Sequence, residues 1–114
     1  DRIDHEKVKN VSVVYVSGPL YFGTAARLDC TKHDFEDKYI VIISMRAVGV
    51  ADISGVEALA QYCNELISQG KMVYFSCVQP SVEKMMERCG FKERFKYDMF
   101  YWSTDRALEH ISKQ

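Results

Sequence analysis

Apolar and polar positions along this chain follow two rhythms, one of period two or less and one near 3.6. The stretch Val11-Ser12-Val13-Val14-Tyr15-Val16 is β-branched and aromatic and stops at Ser17-Gly18-Pro19, which predicts a strand ended by a turn. Leu20-Tyr21-Phe22 continues extended to Gly23-Thr24, and a helix is expected from Thr24 with Ala25, Leu28 and Thr31 on one face. Tyr39 to Met45 is nearly unbroken in its apolar character, the mark of a strand covered on both faces at the centre of a sheet. Val56, Leu59, Ala60, Cys63, Leu66 and Ile67 then recur at helical spacing, and Gly70 supplies a left-handed stop. Lys71 to Val78 is the next strand. A helix of about a dozen residues between two strands predicts a right-handed parallel crossover.

Pro80 opens a further helix at its first position, with Val82, Met85, Met86 and Cys89 inward, Gly90 at its end and Phe91 packed back over that end. Tyr97 to Trp102 reads as a short edge strand with Trp102 covering the core. Ser103 or Thr104 caps a last helix, Asp105 to about Ser112, that buries Ala107, Leu108 and Ile111. The pattern is that of an α/β fold in one domain over residues 11–114, with 1–10 a polar linker or lead-in.

The chain is organised around Val48 to Leu59, which lies between the most apolar strand and the clearest helix and so forms a strand-loop-helix turn. Ser54 and Glu57 have the spacing of a capping box, in which the serine oxygen accepts a first-turn N–H and the glutamate reaches back to another. The same hydroxyl, at the start of a helix, is also a candidate site of phosphorylation.

Composition narrows the function classes. At 47% hydrophobic and 27% charged residues the chain is an ordinary globular one, and a net charge of −1 gives no electrostatic case for nucleic acid or an anionic membrane surface. Lys92, Arg94 and Lys96 are interrupted by Glu93 and read as a solvated stretch. Cys30, Cys63, Cys77 and Cys89 form no C-x-x-C pair and are expected as reduced thiols of a cytosolic domain. His5, His33 and His110 have no partner at metal-ligand spacing. The chain opens on Asp1 without a Met, which is expected of a piece of a longer protein, and no apolar run approaches the ~20 residues of a membrane span.

Motifs for catalysis are missing. Ser54 lacks the G-x-S-x-G elbow, nothing unites it with His110 and a carboxylate, and no P-loop, G-x-G-x-x-G or H-E-x-x-H occurs. Asp52 and Glu57 are helix-start carboxylates of the capping kind, not an acid/base pair. These readings favour a binding or regulatory module over an enzyme.

The order of elements and several local stretches resemble the STAS domains shared by sulfate-type (SulP) anion transporters and bacterial anti-sigma factor antagonists. The stretches are Val16-Ser17-Gly18-Pro19-Leu20-Tyr21-Phe22-Gly23-Thr24-Ala25, the apolar strand ending at Met45, Asp52-Ile53-Ser54-Gly55-Val56-Glu57-Ala58-Leu59, and Val82 to Phe91 followed by Ala107-Leu108. The resemblance implies a mixed, partly parallel sheet flanked by helices with the Asp52–Gly55 loop at one end. Gly18-Pro19-Leu20-Tyr21-Phe22 is similar to the turn of the transporter branch, which implies a regulatory domain on the cytoplasmic face of the membrane, attached to it only through the parent chain. Its implied partners are the transmembrane domain of the same transporter, a second copy, or a soluble regulatory protein. The antagonist branch is the alternative, and there the hydroxyl before the glycine, Ser54 here, is the phosphorylation site. Ile53 departs from the hydroxyl residue often found after the aspartate. No cofactor is expected; a nucleotide is the minor alternative. It would use the same loops as a protein partner, Pro19, Leu20, Tyr21, Phe22, Gly23 and Thr24 with Asp52, Ile53, Ser54 and Gly55.

Overall fold

β-Branched and aromatic runs separated by helices become parallel strands, because a chain that must cross over a sheet face returns in the direction it left. The computed structural model describes residues 10–28, 38–95, 100–101 and 104–113. Its strands are β1 (Val11–Ser17), β2 (Ile40–Ala47), β3 (Met72–Ser76) and β4 (Phe100–Tyr101). Its helices are α1 (Phe22–Leu28), α2 (Ile53–Ser68), α3 (Pro80–Arg88), the single turn α4 (Phe91–Arg94) and α5 (Thr104–Ser112). The spatial order is β1-β2-β3-β4, and all three described pairings are parallel. Cys30, Thr31, Lys96, Trp102 and Ser103 lie outside the described residues.

Register decides what each face buries. Val41 pairs with Val73 and Ile43 with Phe75, while Ile42 pairs with Tyr74 between them. The first set, with Val14, Val16 and Met45, joins Leu59, Cys63, Leu66, Val82, Met86, Phe91 and Phe95 in the larger core. The second, with Ile40, meets Ala107 and Ile111 of α5. β2 is therefore buried on both sides, which is why its sequence shows no alternation. Phe75 anchors the larger core with edge contacts to Phe91 and Phe95 and a stacked one to Phe100.

Several boundaries and faces differ from expectation. α1 begins at Phe22, not Thr24, because the Ala25 N–H already reaches the Tyr21 carbonyl at 3.0 Å. The Thr24 hydroxyl instead donates to the Pro19 carbonyl at 2.6 Å. In α2 the buried stripe takes in Tyr62, whereas Ile67 is exposed at the helix end. Gly70 and Gly90 both take positive φ, +87° and +70°, the conformations expected where α2 and α3 stop. Cys77, after β3, holds φ at 61°, the positive-φ non-glycine residue among those described. The described part of the last strand is confined to Phe100 and Tyr101.

Candidate functional site

In a parallel sheet the loops that leave the carboxyl ends of the strands gather at one rim. Here the β1–α1 and β2–α2 loops do more than lie side by side. The Leu20 N–H donates to the Val50 carbonyl at 2.8 Å, the Asp52 N–H to the Leu20 carbonyl at 3.2 Å, and Leu20 forms a parallel bridge with Ala51. Leu20 is fully buried beneath this bridge, so it is scaffold and not an exposed loop residue. The second loop is latched from its other side as well, by the Gln79 amide on the Arg46 carbonyl at 2.9 Å and the Ser81 hydroxyl on the Gly49 carbonyl at 2.8 Å.

The helix start is closed by Asp52, not by Ser54. One carboxylate oxygen of Asp52 accepts the Gly55 N–H at 2.7 Å, with Asp52 in extended backbone as a cap residue requires. The expected Ser54–Glu57 capping box is thereby corrected: with the cap at Asp52, Ser54 falls at the second helical position and its side chain turns to solvent. Gly55 is buried for a different reason. A Cβ there would sit 2.0 Å from the Leu20 carbonyl oxygen and 2.9 Å from the Tyr21 Cα, so only glycine lets α2 lie against the first loop.

These constraints turn a set of apolar side chains outward. Tyr21 is 46% exposed, Phe22 65%, Val50 46% and Ile53 56%, all on the two bridged loops or the helix turns they lead into. Pro19, Gly23, Asp52 and Ser54 are exposed with them, and Thr24 is half-buried. The structure thus brings the expected site residues together at one rim but divides them, with Leu20 and Gly55 holding the rim in shape and the others presented on it.

Beside Phe22 and Ser54 lies an open depression of about 480 Å³, lined also by Glu57, Ala58, Gln61, Asn64 and Arg94. Arg94, read from sequence as part of a solvated stretch, comes from α4 and sets its guanidinium 3.2 and 3.4 Å from the two Glu57 carboxylate oxygens. Lys92 faces elsewhere, to Glu83 at 2.6 Å and Glu87 at 3.2 Å. The Glu57–Arg94 pair spans 37 residues, so no local spacing could announce it.

The Gly55 N–H is taken by a carboxylate, Gly55 itself is pressed on backbone, and the arginine is already matched by a glutamate. Among the described residues no group of His, Cys, Asp and Glu could hold a metal ion, and no helix is long and apolar enough to cross a membrane. Burial pushes the Cys63 thiol far up, and burial, then the Glu57 charge, raises that of Cys89.

A family model for the STAS domain matches residues 2–107. The chain belongs to the STAS domain family. This STAS domain is similar to pendrin of Mus musculus, 29% identical over 75 residues that make up 65% of this chain and 10% of pendrin. The matched part thus spans about a tenth of that relative's length. Among solved structures, a sulfate transporter family protein from Wolinella succinogenes superposes at a TM-score of 0.82 with 27% identity, covering 90% of this chain and 85% of that one. The murine Solute Carrier 26 family member A9 anion transporter, in its inward-facing state, matches at 0.79 and 20%, covering 92% of this chain and 18% of that one. The anti-sigma factor antagonist SpoIIAA in its unphosphorylated form matches at 0.71 and 14%, covering 91% and 90%. The STAS fold expected from sequence is the fold found, an α/β arrangement in which the described residues form a parallel four-stranded sheet flanked by helices.

Proposed function

We propose that this STAS domain is a non-enzymatic docking module of a SulP-type anion transporter, working at the cytoplasmic face of the membrane and contacting the transporter's own membrane domain. The observation that carries this reading is the apolar rim of Tyr21, Phe22, Val50 and Ile53. Soluble domains seldom leave large apolar side chains grouped at one edge unless another surface covers them. These four stand on the bridged loops or on the first residues of the helices they lead into, so a partner meets a surface shaped by backbone hydrogen bonds and little ordering entropy is lost on binding. The likeness to a sulfate transporter family protein supports the transporter setting, with regulation of transport or assembly as the consequence.

The test is a Phe22→Ser, Ile53→Ser double variant in the full-length parent transporter. Both residues are exposed, so the domain is expected to stay folded by circular dichroism while anion uptake or assembly of the transporter falls several-fold. Unchanged uptake and assembly would refute the docking role. Titration of the domain with ATP or GTP is expected to release no heat of binding.

A second reading is favoured by the position of Ser54, exposed on the first turn of α2 beside the same rim. In it the domain is switched by phosphorylation of Ser54, as a free-standing antagonist of an anti-sigma factor or as part of a transporter. The natural reading frame separates the two settings: a long apolar stretch upstream of Asp1 supports the transporter, a start codon just before it the antagonist. A Ser54→Ala variant is expected to lose any phosphate that the wild-type domain acquires in a cell extract.

A further inference from the structure

Ser54 and the Glu57–Arg94 pair line one depression, although they come from two elements far apart in sequence. We propose that Arg94 is the receiver of a phosphoryl group on Ser54, and that modification moves the guanidinium from Glu57 to the phosphate. This rests on the second reading above, in which Ser54 is modified. It adds the means by which modification is read at the rim.

The first-turn N–H of Gly55 is held by the Asp52 carboxylate at 2.7 Å, so a phosphate on Ser54 has an anion as a near neighbour there. A phosphate in that place needs a cation from elsewhere. Glu57 stands three residues after Ser54, which on a helix places both on one face about 5–6 Å apart at Cβ. Arg94 already reaches that face, with its nitrogen 3.2 and 3.4 Å from the Glu57 oxygens. Its side chain is 38% exposed and that of Glu57 49%, so the pair is wet and easily exchanged.

The transfer itself would be made by a separate kinase using a nucleoside triphosphate. The Ser54 oxygen forms a bond to the γ-phosphorus, the bond from that phosphorus to the β,γ-bridging oxygen breaks, the nucleoside diphosphate leaves, and the hydroxyl proton passes to a base of the kinase. The product carries about −1.5 to −2 charge at neutral pH against −1 for the carboxylate, and offers three oxygens to the guanidinium fork. Arg94 therefore goes to the phosphate, and Glu57 is left facing a second anion. A neutral pair beside Phe22 and Ile53 becomes a negative cluster, which turns away an apolar partner.

The test installs phosphoserine at position 54 during synthesis and follows its phosphorus resonance against pH. The charged groups lining the depression are Glu57 and Arg94, with Asp52 at the cap behind. In the folded domain the second phosphate ionisation is expected about half a pH unit below that of the same chain in urea, as a neighbouring cation requires. Arg94→Gln should bring it back to the urea value or above, Arg94→Lys should keep part of the drop, and Glu57→Gln should deepen it. Equal titration in the wild-type and Arg94→Gln backgrounds, both folded, overturns the proposal. A separate incubation of the unmodified domain in an extract of its own host, read by mass spectrometry, tests whether Ser54 is a substrate at all. Absence of phosphate there overturns the modification reading, while the titration still decides the role of Arg94.

Discussion

Asp52 and Ser54 stand two residues apart, yet only one of them closes α2. The carboxylate of Asp52 fixes the Gly55 N–H, whereas the Ser54 side chain touches solvent. Asp52→Ala is therefore expected to cost about 1 kcal/mol, and Ser54→Ala less than about 0.5 kcal/mol, in urea unfolding. Equal losses would restore the serine cap. Cys77 offers a change in the other direction. Its φ of 61° strains a residue with a Cβ, and its side chain is only half-buried, so Cys77→Gly is expected to raise stability by about 0.5–1 kcal/mol. At this scale sequence showed which residue types were present but not which would cap. Serine and aspartate are equally good caps, and the choice follows from where the Leu20–Ala51 bridge leaves the chain.

At the scale of elements, the approach of α2 to the β1–α1 loop is set by the missing side chain of Gly55. Gly55→Ala places a methyl 2.0 Å from the Leu20 carbonyl, and because that atom is backbone the helix itself must move. We expect a loss of about 1–3 kcal/mol, together with shifted amide resonances along both bridged loops, whereas Gly23→Ala, with open space around it, should lose little. The strands and longer helices were legible because burial imposes its period on the sequence: unbroken in β2, near 3.6 in α2 and α3. The Glu57–Arg94 pair was not legible, since it joins elements whose mutual placement no local period encodes. Tyr62 and Ile67 show the same limit: which of the two turns inward depends on what packs on α2.

For the molecule as a whole, the larger core carries a thiol whose proton records folding. Burial pushes Cys63 well above its ordinary value of 9.0. Below that value the folded and unfolded chains both keep the proton, and the contribution to stability is full. Above it the unfolded chain loses a proton that the core retains, so stability falls by about 1.4 kcal/mol for each further pH unit. Urea midpoints measured from about pH 8 to 10 should show this slope in the wild type and a shallower one in Cys63→Ala. The exposed side chains of the rim, Phe22 and Ile53 among them, are by contrast no part of that core. This separation is what allows Phe22 and Ile53 to be changed without unfolding the protein.

The spatial order of the described strands repeats their order in the chain, and among the described residues α5, at Thr104–Ser112, packs on the second sheet face. During synthesis the sheet can therefore grow one strand at a time as the ribosome releases it. Ile40, Ile42 and Tyr74 then await α5, and in that interval a chaperone has a greasy surface to hold. A nascent chain stalled before Thr104 would carry that surface permanently and be marked for aggregation or proteolysis.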